Sequence, residues 1–272
     1  MKSGKWDARI ERAAELASKH AFAAEGLRFY GHIAQFQKSL YSNVEAECGA
    51  GKEFRSLGSL RQELDLFVLL PKFPPFLAIV EEHAPAPLSE SASSLRHKLA
   101  AQWQQLLTEF WHPGPEPPPA DLAPHDAMLA WLFLQPYAEY LADHTDHPPV
   151  HGTPSECPLC GGKPQVGILR PEGDGGKRSL VCALCATEWE YRRIVCAACG
   201  EEDVHKLAVY TAQEFAHVRV EACDSCHSYL KTVDLTKDGH AVPVVDELAT
   251  IPLNLWAMEH NFTKIQTNFL GI

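Results

Sequence analysis

Cys157-Pro-Leu-Cys-Gly161, Cys182-Ala-Leu-Cys-Ala186, Cys196-Ala-Ala-Cys-Gly200 and Cys223-Asp-Ser-Cys-His227 decide how this chain folds. Eight of its nine cysteines lie in these four Cys-x-x-Cys pairs, all within the seventy residues from Cys157 to Cys226. A two-residue spacer lets one tight turn aim two sulfurs at a single point, and two such turns complete a tetrahedral four-cysteine site for Zn or Fe. Twenty-one residues separate the first pair from the second and twenty-three separate the third from the fourth, so the pairs fall into two matched sets. The expected ligands are Cys157, Cys160, Cys182 and Cys185 for one ion, and Cys196, Cys199, Cys223 and Cys226 for the other. A nested pairing is the alternative, and it would have to join the two sets at their bases. Gly161 and Gly200 follow the second cysteine of their pairs, where a positive φ is needed at little steric cost. The pairs at Cys182 and Cys223 lack that glycine, and less regular turns are expected there.

Between the cysteines the pattern is that of strands. Gln165–Arg170 and Lys177–Val181 flank Glu172-Gly-Asp-Gly-Gly176, a hairpin signal, and Leu207–Tyr210 and Ala216–Val220 flank Thr211–Glu214 in the second set. Each set reads as turn, hairpin, turn, which makes the region a tandem duplication of one metal-ribbon unit.

Outward from this core, residues 1 to about 145 have helical periodicity. Ile10, Ala13, Ala14, Leu16 and Ala17 recur at helical spacing, and Leu27, Tyr30, Ile33, Ala34 and Leu40 continue after a break near Gly26. Further helices are expected at 59–70, 76–83, 91–111 and 125–142, the third capped by Ser91–Ser94 and the last begun by Asp121 or Pro124. Trp131 and Tyr137 sit in a strongly apolar stretch and read as core. The run His112-Pro-Gly-Pro-Glu-Pro-Pro-Pro119 cannot be helical and reads as an exposed loop, and a boundary is expected over Asp146–Pro154. Beyond the cysteines, Asp246 to about Phe269 again has helical patterning. The expected fold is therefore α+β and multidomain. An all-helical domain (1–150) precedes two four-cysteine zinc-ribbon modules (151–195 and 196–235) and a C-terminal helical segment (236–272).

Composition narrows the function. The formal net charge is −11, and from His151 to Val233 nine Lys/Arg face eleven Asp/Glu. Each four-thiolate site around a divalent ion adds further negative charge, so phosphate binding by clustered cations is disfavoured and no nucleic-acid partner is expected. The most apolar stretch, Leu64 to Val80, is interrupted by Pro71, Pro74 and Pro75, too short a run to span a bilayer. Met1-Lys-Ser-Gly-Lys-Trp6 leads into an amphipathic pattern without an apolar signal core, so thiolates on metal are favoured over disulfides and a cytoplasmic location is expected.

Other motifs are weaker. Cys223-Asp-Ser-Cys-His227 fits a c-type haem attachment site, but its cysteines are needed to complete a metal set. Asp143-His-Thr-Asp-His147 reads as a solvated segment and Cys48 as an inert thiol. No dinucleotide, phosphate-loop, nucleophile-elbow or metalloprotease motif occurs, and no catalytic residue is assigned. Closed four-cysteine sites leave no coordination position for substrate.

With these residues in view, the chain resembles the formate dehydrogenase accessory protein family, FdhE. The resemblance runs through Cys157-Pro-Leu-Cys-Gly161, Cys182-Ala-Leu-Cys-Ala-Thr-Glu-Trp189 and Val195-Cys-Ala-Ala-Cys199. It continues through Glu221-Ala-Cys-Asp-Ser-Cys-His-Ser-Tyr-Leu-Lys231 and Asp246-Glu-Leu-Ala-Thr250, with a fainter likeness at Arg28-Phe-Tyr-Gly-His-Ile-Ala-Gln35. It implies a cytoplasmic maturation factor that is not itself an enzyme. Such a factor has a helical N-terminal domain followed by two rubredoxin-like metal modules, binds the catalytic subunit of a molybdenum formate dehydrogenase before export, and carries two metal ions, iron in the family. The other readings are a rubredoxin-like electron carrier and, disfavoured by charge, a nucleic-acid-binding zinc ribbon. For Thr187-Glu-Trp189 and Tyr229-Leu-Lys231 two readings stand. Either they form a contact surface, with Glu188 and Lys231 reaching solvent, or Trp189 and Tyr229 cover the sites while Lys231 offsets thiolate charge.

Overall fold

Proline and the spacing of apolar residues set the helices of the first half of the chain. The computed structural model describes residues 4–48, 59–112, 123–146, 152–172 and 175–271. The helices are α1 (Gly4–Lys19), α2 (Ala24–Cys48), α3 (Leu66–Leu69), α4 (Phe73–His83), α5 (Ala86–Arg96), α6 (Ala100–Trp111) and α7 (Pro124–Asp143). Pro124 does begin α7, as the first helical turn permits. The expected helix over 91–111 is two helices, broken at His97–Leu99, so Ser91–Ser94 lie inside α5 and cap nothing. The 59–70 segment is a short 3-10 turn at Leu60–Gln62 followed by α3, whose first turn is capped by Asp65 Oδ1 accepting from the Phe67 and Val68 N–H groups. Residues 113–119 of the proline-rich run, Asp121, 147–151 of the expected boundary, and Gly173 and Asp174 of the hairpin signal lie outside the described residues.

The chain forms two compact units, Met1–Trp6 with Phe29–Asp146, and Asp7–Arg28 with His147–Ile272. In the first, α7 is buried on nearly all sides from Leu129 to Ala142, with Trp131 and Tyr137 both in the core as expected. A helix apolar all round is a central helix. Phe73 and Phe76 pack on its Phe133 at centroid distances of 4.8 and 5.4 Å. Pro136 inside α7 cannot donate to the Leu132 carbonyl one turn earlier. Buried Gln37 takes over that role, its Nε2 donating to Leu132 O at 2.7 Å.

The second unit is built on one sheet. Its strands are β1 (Pro164–Glu172), β2 (Gly175–Cys182), β3 (Glu188–Glu190), β4 (Leu207–Thr211), β5 (Val218–Cys223), β6 (Ser228–Asp234) and β7 (Thr263–Lys264). Their order is β3-β2-β1-β6-β5-β4, with β7 also on β6. The four expected strands are β1, β2, β4 and β5, whereas β3 and β6 were not foreseen as strands. The two ribbons, β1–β3 and β4–β6, do not stand apart. They fuse through a parallel β1–β6 pairing in which Gly167 lies opposite Thr232. A Cβ at Gly167 would lie 2.3 Å from Thr232 Oγ1, so the seam requires glycine.

Val218, Val220 and Ala222 of β5, Val166 and Ile168 of β1, and Tyr229 and Val233 of β6 share one sheet face, and Leu253, Ala257 and Phe262 complete its core. Arg178, Arg219 and Glu221 belong to the opposite face, as the period of two demands. The C-terminal segment differs from expectation. It holds α8 (Pro243–Ala249) and α9 (Ile251–Glu259), after which β7 replaces the helix that the pattern had extended to Phe269. Pro252 is in the first turn of α9, where its missing N–H costs nothing.

Candidate metal centres

Three of the four Cys-x-x-Cys turns, those at Cys157, Cys182 and Cys196, close in the same way. The N–H of the residue after the second cysteine bonds back to the first cysteine's carbonyl, in Gly161 to Cys157 (2.9 Å), Ala186 to Cys182 (3.2 Å) and Gly200 to Cys196 (3.0 Å). The next residue's carbonyl receives the first cysteine's own N–H, as Gly162 does from Cys157, Thr187 from Cys182 and Glu201 from Cys196. Gly161 and Gly200 take φ of 70° and 78°, as expected. The corresponding Ala186 and His227 both take φ of 53°, so the turns without glycine carry the same left-handed residue, and the Cys182 turn is as regular as those with glycine. That conformation costs an L residue roughly 1 kcal/mol.

The eight sulfurs gather into two clusters, Cys157/Cys160/Cys182/Cys185 and Cys196/Cys199/Cys223/Cys226, with the Sγ atoms of each within 4.8 Å of one another. The arrangement is side by side, and the nested alternative is not formed. Between pairs, Cys157–Cys185 and Cys160–Cys182 are 3.6 and 3.3 Å apart, and Cys196–Cys226 and Cys199–Cys223 are 3.7 and 3.8 Å apart. Four thiolates at about 2.3 Å from a tetrahedral ion have edges of about 3.8 Å. Both clusters therefore fit a single Zn or Fe ion. Backbone N–H groups of Gly162, Leu184 and Ala198 point at Cys160, Cys182 and Cys196 sulfurs at 3.4 Å and stabilise negative sulfur.

The environments differ. All four cysteines of the first cluster are at most 4% exposed, whereas Cys199 is exposed and Cys226 half-buried in the second. Hydrogen bonds from Cys160, Cys182 and Cys185 hold the Cys157 thiol far below the ordinary range. Hydrogen bonding to that thiolate, with burial added, pushes Cys182 and Cys185 up. A buried set of this kind needs a cation before every sulfur can ionise. In the second cluster burial pushes Cys196 up to about 12. Burial acts upward at Cys226 too, but hydrogen bonds from Ser228 bring it down to about 7.

Other sequence candidates resolve differently. Cys223 and Cys226 belong to the second cluster, so the haem-attachment pattern is spent on it, and the His227 ring lies 6.3 Å from that of Phe262. Asp143 accepts from Lys5 Nζ and Tyr41 Oη, His144 Nδ1 pairs with the Tyr140 carbonyl, and His147 is outside the described residues. Cys48 is half-buried. Trp189 is buried with its indole N–H on Pro154 O at 3.1 Å, and Tyr229 is buried with its hydroxyl on Asn254.

Lys231 corrects one expectation. It neither reaches solvent nor faces the thiolates. It is fully buried, with Nζ 3.0 Å from Glu247 Oε1 and donating to Thr250 Oγ1 at 3.1 Å. Burial brings its pKa down to about 7. Burial acts upward on Glu247, but Lys231 and Lys264 together bring it down to about 2. Asp246 beside it accepts from Arg12 Nε (3.0 Å) and Nη2 (2.6 Å), His217 Nε2 (2.9 Å) and the Val242 N–H (2.7 Å). His217, Asp238 and Asp246 are close enough to hold an ion, but the Arg12 guanidinium already fills that place. Asp246–Thr250 is thus a structural clamp. Two adjacent acids inside Val244-Val-Asp-Glu-Leu-Ala249 were the available signal, since an apolar helix seldom buries carboxylates without partners.

Against this geometry, known families give a direct match. A model described as "FdhE, central domain" matches residues 156–193, and "FdhE, C-terminal domain" matches residues 194–270. A "Protein FdhE homolog" from Aquifex aeolicus (strain VF5) is 30% identical over 278 residues, covering 96% of this chain and 94% of the relative. The chain belongs to the FdhE family. A second FdhE homolog, from Pseudomonas aeruginosa, is 40% identical over 121 residues, 42% of this chain and 38% of that protein. A crystal structure of the FdhE protein from Pseudomonas aeruginosa matches with a TM-score of 0.71 at 26% identity, covering 98% of this chain and 96% of that one. The border between the two FdhE domain models falls between the two cysteine clusters.

Proposed function

We propose that this protein is a cytoplasmic accessory factor for formate dehydrogenase that binds the catalytic subunit of the molybdenum enzyme before export and performs no catalysis itself. The observation that supports this is the near full-length similarity to an FdhE homolog, combined with two four-cysteine clusters that leave no open ligand position. In this reading Cys157, Cys160, Cys182 and Cys185 hold one ion and Cys196, Cys199, Cys223 and Cys226 hold the other, Fe or Zn. The metals supply rigidity, tying turns on different strands into one surface. The absence of a helix long and apolar enough to cross a membrane, among the described residues, fits a factor that works away from the bilayer.

The test is a strain lacking this gene. Formate dehydrogenase activity is expected to vanish while the dehydrogenase polypeptide is still made, and the tagged factor is expected to retain the catalytic subunit from lysate. Normal activity in that strain, with no paralogue present, rejects the assignment. A second reading, electron transfer, is favoured by the exposure of Cys199 at the second cluster. A reversible one-electron absorbance change in iron-loaded protein would support it.

A further inference from the structure

The sheet has two edges, and they are treated differently. β3 is three residues long and bears two glutamates, Glu188 paired with Arg170 at 2.7 Å and Glu190 with Lys177 at 2.8 Å. Short length and charge blunt an edge against strand addition. β4, Leu207-Ala-Val-Tyr-Thr211, has five residues and no charge, proline or bulge, and its Val209 is 53% exposed.

The register shows which backbone groups are open. The Asp224 N–H donates to Lys206 O at 2.9 Å, which sets the phase of the antiparallel ladder. Alternation then makes Ala208/Ala222 and Tyr210/Val220 the bonded pairs and turns the N–H and C=O groups of Val209 and Thr211 away from β5. Each face of the same strand also borders a concavity. On the Tyr210 face an apolar groove of ≈ 820 Å³ is lined by Phe22, Phe215, Pro252, Leu253 and Trp256. On the Val209 face a cavity of ≈ 350 Å³ is lined by Ile194, Arg193, Arg219 and Glu221 and reaches Cys196. Glu221 is shared between Arg178 and Arg219, and exposed Arg193 has no ion pair among the described residues, so this side offers a guanidinium free to meet an acidic side chain.

We infer that the β4 edge binds an extended peptide segment whose residues alternate apolar and acidic. The added strand bonds to the open groups of Val209 and Thr211, its apolar side chains enter the Phe22–Trp256 groove, and its acidic ones face Arg193. A period of two in the ligand matches two unlike concavities on the two faces of one strand. The inference deepens the accessory reading, in which the segment belongs to the dehydrogenase catalytic subunit.

The probe is a fluorescent acetylated peptide of about eight residues, enough for one full strand, alternating Phe or Val with Asp. Its control carries Lys in place of Asp. Full-length protein is expected to bind the Asp peptide better and to gain hydrogen-exchange protection at the Val209 and Thr211 amides. Val209→Pro removes an outward donor without touching the bonds to β5, and is expected to weaken binding by about tenfold or more. Arg193→Glu, on an exposed loop, is expected to abolish or invert the preference for Asp over Lys, a result that misfolding does not produce. Failure of the Asp peptide to bind, or binding indifferent to both substitutions, overturns the inference. Self-association of the protein that Val209→Pro abolishes, with no peptide bound, assigns the edge to a second copy and also overturns it. The purified catalytic subunit separates this from the function itself. If it binds parent and Val209→Pro protein equally, the edge inference fails and the accessory reading stands. If it binds neither while the peptide binds the parent, the accessory reading fails and the edge remains a peptide site.

Discussion

In the first ribbon all four cysteines are buried. In the second, Cys199 lies at the surface and Cys226 is half-covered, with a cavity against Cys196. The four-cysteine ligand set and the left-handed residue after each pair are the same in both. Coordination geometry is therefore written in the spacing, while access to an ion held there depends on what packs over the turns. A sealed site acts as a rivet. An exposed one can exchange its metal, pass an electron or meet a partner.

The largest effect that could break this contrast is metal removal. Coordination supplies on the order of 10 kcal/mol to small four-cysteine folds. Complete stripping is therefore expected to unfold residues 155–235 while Phe29–Asp146 keeps its helices, as read by limited proteolysis. Full protease resistance of 155–235 in metal-free protein would contradict it. Cys157→Ser and Cys196→Ser each are expected to remove one ion only, because the ligand sets are separate. Loss of both ions from either variant means that the fused sheet couples them.

Access sharpens the contrast further. Metal release to an excess of chelator is expected in two phases, the faster at least about tenfold quicker, since opening a closed site requires local unfolding. Cys196→Ser should delete the fast phase and Cys157→Ser the slow one. A single phase in the parent protein would remove the distinction between the ribbons.

A smaller effect concerns what braces the second ribbon. Arg12→Met leaves Asp246 buried with only His217 and a backbone N–H, a loss of about 3 kcal/mol. The Asp246 carboxyl is held below its ordinary pKa: burial acts upward, but His217 and Arg12 outweigh it. Such a group stabilises the fold above its unfolded pKa and loses that contribution as pH falls through the folded value. The acid slope of the denaturation midpoint, below about pH 4, is expected to be shallower in Arg12→Met than in the parent. Equal slopes would show that Arg12 does not set this ionisation. The least costly test is at the seam, where Gly167→Ala drives a methyl into Thr232 and is expected to cost about 1–3 kcal/mol in urea unfolding. No change there would mean that the two ribbons are joined less tightly than the β1–β6 register implies.

What could be read from the sequence were the local rules. The Cys-x-x-Cys spacing gave both clusters, Gly161 and Gly200 gave their turns, and alternation gave β1, β2, β4 and β5. What could not be read depends on distant partners. Lys231, two residues past a tyrosine beside a cysteine turn, looks like a surface charge until Glu247 is folded against it. Arg12 finds Asp246 at a separation of 234 residues. The break at His97–Leu99 has no proline or glycine to announce it, and Gln37 looks like any polar helix residue until Pro136 leaves a carbonyl for it to cap. The helical pattern after Met258 is overridden by β6, which recruits Thr263 and Lys264 as an added strand.

The parallel pairing of β1 with β6 also fixes an order of events during synthesis. Gly167 meets Thr232 only after some 65 further residues have been translated, and such distant pairings are slow to form because loop closure precedes any gain. The first ribbon must therefore wait on the ribosome with one edge of β1 bare until the second has emerged. Early capture of an ion by Cys157, Cys160, Cys182 and Cys185 would hold that half-built sheet together in the interval. The buried position of this first cluster then has a kinetic meaning as well as a structural one: it is the knot tied before the rest of the fabric arrives.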